Sequence, residues 1–230
     1  MGTKKCKVIN KKVLKLTAFL LIIAGNFSSC EKYEKSTETN TIVNANSSWA
    51  VFNYGVCPAC SFWTEYVYFD GDSIISGNTY KKVFSCDDEL RKNIKYEGLM
   101  REHDLKTYFI SANSGIETLL YDFSLEAGMI FYYDSMTPSY VRAVDSIEIN
   151  GFMKKRIQMD GGRTDTWIEG MGSVRGILSP SRISLDGISE FLLCYYLNKE
   201  LMYSNTSLSD CYYEGENVFS FLDTVKIKIK

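Results

Sequence analysis

From Trp49 onward the chain is cut at short intervals by residues that turn a backbone sharply: Asp70-Gly71-Asp72, Gly77-Asn78, Asn150-Gly151 and Asp186-Gly187. Apolar or alternating segments lie between them. No segment carries a long apolar stripe at i, i+3, i+4, i+7 spacing, and the one short helical turn the sequence allows, from Leu119 to Ala127, is closed off by Gly115 and Gly128. Strands are therefore predicted over 62–69, 80–85, 96–102, 107–111, 117–123, 129–133, 141–149, 152–159, 166–169, 190–197, 200–203 and 224–230. Their spacing of roughly ten residues predicts an all-β fold, an antiparallel meander forming a barrel or a two-sheet sandwich.

Asn150-Gly151 is the strongest hairpin signal, because a type I′ turn needs positive φ at both central residues. In Thr107-Tyr108-Phe109-Ile110 and in VKIKIK (225–230) apolar and polar residues alternate with period two; in the second, exposed lysines would blunt an edge. The composition agrees. With 16 Tyr, 13 Phe and only 3 Pro, the chain suits pleated surfaces, and 45% hydrophobic residues supply a core.

The N-terminus is an address rather than part of the fold. Lys4, Lys5, Lys7, Lys11, Lys12 and Lys15 precede LTAFLLIIAG (16–25). This apolar run is about half of the roughly 20 residues a membrane span requires. Phe27-Ser28-Ser29-Cys30 comes next and resembles a bacterial lipobox, which implies lipidation of Cys30 and removal of residues 1–29. Acyl chains on Cys30 would then hold the protein to a membrane. Residues 30–48 are rich in Ser, Thr and Asn and are expected to form a flexible polar tether, with a single β domain over 49–230. Losing six lysines leaves 20 basic residues against 28 acidic ones. So acidic a body argues against a nucleic-acid partner, because phosphate binding needs basic surface.

Several strings recur together: GDSIISGNTYKKVF (71–84), REHDLKTYFI (101–110), LLYDFSLEAGM (119–129), VDSIEINGFMKKRIQM (144–159) and TWIEGMGSVRGIL (166–178). They are similar to a pattern common in exported proteins of Bacteroidota, with GDxxIxGxxYxK, YDFSL and WIEGxGS as its core, over about residues 49–204. The resemblance implies a β fold and an envelope address, specifically an outer-membrane lipoprotein, but no reaction.

Few residues offer catalysis. His103 is the one histidine, which excludes a Ser-His-Asp triad and a multi-histidine metal site. The glycines of Gly170-Met171-Gly172-Ser173-Val174-Arg175-Gly176 are followed by Pro180, which stops the helix a dinucleotide site needs. They are expected to permit a tight bend after the Trp167 strand. Asp87-Asp88-Glu89 has carboxylates that would suit calcium but lacks EF-hand spacing, and an acidic loop is ordinarily just solvated. Trp49, Trp63 and Trp167 suit either a core or a sugar-stacking platform. No catalytic residue, metal or cofactor is expected.

The thiols remain. With Cys6 removed and Cys30 lipidated, Cys57, Cys60, Cys86, Cys194 and Cys211 are left in an oxidising compartment, an odd number. Cys194 and Cys211 bracket a predicted hairpin and are expected to pair. Cys57–Cys60, or a bridge from either to Cys86, are the other candidates. A thioredoxin-like use of Cys57 and Cys60 would need a helix beginning at Cys57, and an aromatic strand is predicted there instead. Thr137-Pro138, the one candidate for that fold's cis-proline, lies far downstream among β segments. The function expected is a non-catalytic binding module at the cell envelope, for a glycan or a protein partner. The alternatives are a lipocalin-like carrier of a small apolar ligand and a thiol–disulfide oxidoreductase.

Overall fold

Strand β1 (Ser47–Gly55) is buried along nearly its whole length. Its side chains alternate between two apolar environments, Trp49 and Val51 on one face, Ala50, Phe52 and Tyr54 on the other. A strand covered on both sides shows no polar alternation, which is why the sequence did not announce it. It lies inside the larger of two antiparallel sheets in a computed structural model that describes residues 40–55, 57, 60–88, 90, 92–133, 137–181 and 188–224.

After β1 come β2 (Phe62–Ile75), β3 (Asn78–Cys86), β4 (Lys95–His103), β5 (Lys106–Ser111) and β6 (Glu117–Asp122), a meander in which each strand pairs with the next. The chain then builds a five-stranded sheet from β7 (Ile130–Tyr132), β8 (Pro138–Ile149), β9 (Phe152–Gly161), β10 (Asp165–Ile168) and β11 (Gly172–Ser173). It returns to the first sheet as β12 (Ile188–Leu197) and β13 (Glu200–Ser204), with β12 beside β1. A short β14 (Glu214–Gly215) adds to β2, and helix α1 (Val218–Thr224) comes after it. Each sheet curls like half a barrel, so the fold is all-β, as expected. The apolar faces share one core: Trp49, Val67, Met100 and Phe109 come from the large sheet, Val141, Ile157, Met159 and Trp167 from the small one.

The hairpins turn on left-handed residues. Asn150 and Gly151 have φ of 47° and 83°, as the Asn-Gly pair predicts. Ser76-Gly77, Asp104-Leu105 and Asn198-Lys199 do the same, although Leu105 and Lys199 bear side chains that disfavour it. Asp70-Gly71-Asp72 is a correction. The chain does not turn there; β2 runs through, and its pairing with β3 slips between Phe69 and Asp72, a bulge with Gly71 at φ 75°.

The tether also ends sooner than expected. Residues 1–39 lie outside the described residues, Cys30 and the signal segment among them, but 40–48 are not free chain. Ile42 is fully buried in the shared core, the Val43 amide donates to Glu102 Oε2 (3.2 Å), and Lys154 Nζ donates to Asn40 Oδ1 (3.0 Å). Two apolar residues in a polar run were enough to dock it. Of the strand expected at 224–230, Thr224 instead ends α1; residues 225–230, the Asp186-Gly187 turn and Glu89 lie outside the described residues.

Candidate functional site

The glycine-rich element is architecture. Trp167 is fully buried among the rings of Tyr121, Phe123, Phe131 and Tyr133, and its Nε1 donates to Asp165 Oδ2 (3.0 Å). Asp165 also accepts from Ser173 Oγ (2.6 Å) and the Thr166 amide (2.8 Å). Burial pushes its carboxyl up against the pull of these donors. Gly172 has φ of 89°, and a Cβ there would sit 2.9 Å from Ile177 Cδ1 and 3.2 Å from the Tyr121 hydroxyl, which itself donates to the Ile177 carbonyl (2.7 Å). The WIEGxGS string thus encodes a bend locked against the core. Trp49, also fully buried, donates Nε1 to the Met171 carbonyl (2.8 Å). His103 sits at the end of β4, well exposed, with Nε2 3.1 Å from Asp104 Oδ2.

Trp63 has a different fate. It is half-buried, and with Asp87, Asp88, Asn93, Tyr212 and Glu214 it lines a surface pocket of about 350 Å³. The parts come from distant stretches of chain. Asp87 and Asp88 lie just after β3, where the Cys86 thiol donates to the Asp88 carbonyl (3.3 Å). Asp88 Oδ2 accepts from the amides of Lys92 (2.9 Å) and Asn93 (3.3 Å), folding that loop back on itself. Glu214 stands directly opposite Trp63 in the β14–β2 pair. Thr64 secures that pairing: its Oγ1 accepts from the Tyr213 amide (2.8 Å) and donates to the Tyr213 carbonyl (3.0 Å). The Tyr212 ring stacks parallel to Tyr66, centroids 6.3 Å apart, and its hydroxyl donates to Glu214 Oε2. One atom is left over: Asp88 Oδ1 is shielded from solvent and receives no hydrogen bond.

Two disulfides hold this end of the large sheet. Cys194 is bonded to Cys211, next to Tyr212, and Cys57 to Cys60, just before β2. The Cys60 carbonyl accepts the Val218 amide at the start of α1 (3.1 Å), tying the helix to the clip. Cys86 is buried and takes part in neither disulfide. Cys60 leads into strand β2, whereas a thioredoxin-like site would begin a helix there.

Among the described residues no group of three or more His, Cys, Asp or Glu is placed to hold a metal ion. Asp87 and Asp88 line the pocket, whereas Asn93, Tyr212 and Glu214 had no sequence signal: the pairing of β14 with β2 brings the last two to Trp63. Compared with protein-family models, curated proteins and solved structures, the chain matches none.

Proposed function

We propose that this is a lipid-anchored cell-envelope protein, acylated at Cys30, whose β domain is a non-catalytic module that binds glycan in the Trp63–Tyr212 pocket. The observation that carries the reading is the pocket's make-up. Aromatic side chains offer flat apolar faces to a sugar ring, while Asp87, Asp88, Asn93 and Glu214 offer acceptors and an amide to its hydroxyls. Support also comes from what fills the interior. Trp49, Trp167, Tyr121, Phe123, Met100, Met159 and Met171 are all buried where a lipocalin-like carrier would keep its ligand, which weighs against that alternative. The strand after Cys60 weighs in the same way against an oxidoreductase.

The test uses the mature protein, whose first residue should be identified by mass spectrometry as acylated Cys30. Calorimetric titration with a panel of envelope-type oligosaccharides should find a ligand. Trp63→Ala should weaken it at least about tenfold, or about 1.4 kcal/mol, with the thermal midpoint held. Equal affinity in the variant would move the site elsewhere, and a panel without a binder would end the glycan reading.

A further inference from the structure

Strand direction puts one end of the large sheet beside the chain's entry. β2 and β4 run the same way, so the β2–β3 and β4–β5 turns lie at one end, and β1, antiparallel to β2, begins there. β12 runs antiparallel to β1, so its turn into β13 joins them, and the Asn198 amide in that turn donates to the Asn46 carbonyl (3.1 Å). The docked segment crosses the same end, where Val43 meets Glu102 near the close of β4. The turns here carry apolar side chains into solvent. Ile74 and Ile75, which lead into Ser76-Gly77, are 74% and 39% exposed, and Leu105 is 51% exposed. Leu105 has φ of 63°, where a turn is cheapest with Gly or Asn, so the fold itself does not ask for leucine. Single apolar residues are exposed elsewhere too, Ile116 and Ile188 at the opposite end among them, and need no special account. What sets these tips apart is the distance to the anchor. Ten positions separate Cys30 from Asn40, a reach of at most about 36 Å however they run.

Taking the acylated Cys30 as its base, we propose that this end of the large sheet rests on the membrane, with the Ile74-Ile75 and Leu105 tips seated at the boundary between headgroups and acyl chains. Aliphatic side chains gain free energy on leaving water for that boundary, and the lipid anchor supplies a proximity that two short tips could not hold alone. β2 then sets where the candidate pocket sits. Trp63 stands at the start of that strand and Ile74 near its end, about 35 Å apart along an extended chain, so the pocket is carried away from the bilayer.

The test reconstitutes the mature protein, its N-terminus checked by mass spectrometry, into phosphatidylcholine vesicles with and without brominated acyl chains. Bromine quenches only a tryptophan that reaches the acyl region. Leu105→Trp and Ile74→Trp should each add fluorescence that the brominated lipid quenches at least about threefold more than the fluorescence added by Ile116→Trp at the far end. All three side chains are more than half exposed, so the variants should keep the parent's thermal midpoint. Ile74→Ser with Ile75→Ser, placed in the Leu105→Trp protein, should bring its quenching down toward the Ile116→Trp level. Equal quenching at the three positions, high or absent, would overturn the docking and leave the anchor in place. Leu105→Trp quenching untouched by the two serines would mean that the anchor alone brings the domain to the lipid, and would overturn it too. A mature N-terminus other than acylated Cys30 would instead remove the reading beneath it.

Discussion

On one face of β1, Trp49 and Val51 join a core that draws side chains from both sheets and closes without a covalent link. On the other face, Ala50, Phe52 and Tyr54 meet a smaller cluster: Phe62, Leu193, Leu208, and Val218 and Leu222 of α1. Phe52 stacks on Phe62, Phe191 and Phe221, and Phe62 on Phe221 at 4.5 Å. Cys194 is part of this cluster, and Cys60 and Cys211 pack against it. The difference stems from size. A core between two sheets buries enough apolar surface to offset the entropy of ordering them. A seven-residue helix and a few turns laid on the outer face do not, so the chain crosslinks them. Tyr212 and Glu214 of the candidate pocket follow directly after Cys211 in this crosslinked segment.

The largest effect should come from the uncrosslinked core. Trp167→Ala removes a fully buried ring that touches Tyr121, Phe123, Phe131 and Tyr133 and leaves Asp165 without one of its donors. A loss of about 3–5 kcal/mol is expected in denaturant unfolding. It should be global, with hydrogen exchange accelerating in both sheets together. A loss confined to the small sheet would mean that the shared core is two cores.

The crosslinked side should respond differently. Replacing Cys194 and Cys211 together by serine releases a loop with a sequence separation of 17. The chain-entropy account gives about 3 kcal/mol for a loop of that size. Hydrogen exchange should rise chiefly over 205–224, and ligand affinity should fall, because Tyr212 and Glu214 are held through that segment. The amides of β8 and β9 should stay protected. Uniform loss of protection would show that the outer cluster is part of the main cooperative unit, and the contrast between the faces would disappear.

The same contrast marks how far the sequence could be read. Strands with one wet face declared themselves, and β4, β5, β8 and β9 fall close to their expected places. β1 carries apolar residues on both faces and so gave no period to detect. At Asp70-Gly71-Asp72 the local chemistry is that of a turn, but cross-strand pairing carries β2 straight past it, with Gly71 absorbing the slip. For the site, Trp63 and Asp87-Asp88 were legible only as residues with two ordinary fates, core and solvated loop. What selects a third fate is Glu214 coming opposite Trp63, a pairing across some 150 positions that no short-range pattern encodes. The WIEGxGS string misleads the other way: the most recognisable motif in the chain is a buried brace.

The smallest effect concerns the segment that leads into β1. Glu102 holds it from the large sheet by accepting the Val43 amide, and burial raises its carboxyl above the usual range, with the backbone donors opposing and the Glu169 charge reinforcing the shift. A carboxyl raised by folding favours the protonated native state. Its stabilising share is complete below the unfolded pKa, about 4.3 for Glu, and is lost as pH rises through the higher folded value. Glu102→Gln keeps an acceptor for Val43 and cannot ionise. The variant should therefore match the wild type in acid and become the more stable of the two as pH rises past the folded pKa. Glu102→Ala should lie about 1 kcal/mol below Glu102→Gln at any pH, for the lost acceptor. Exchange at the Ile42 and Val43 amides provides the local readout. Should the Gln variant and the wild type keep a constant difference from acid to neutral pH, the segment is held by Ile42 in the core and not by the carboxylate, and the main core extends to the chain's first docked residues without electrostatic help.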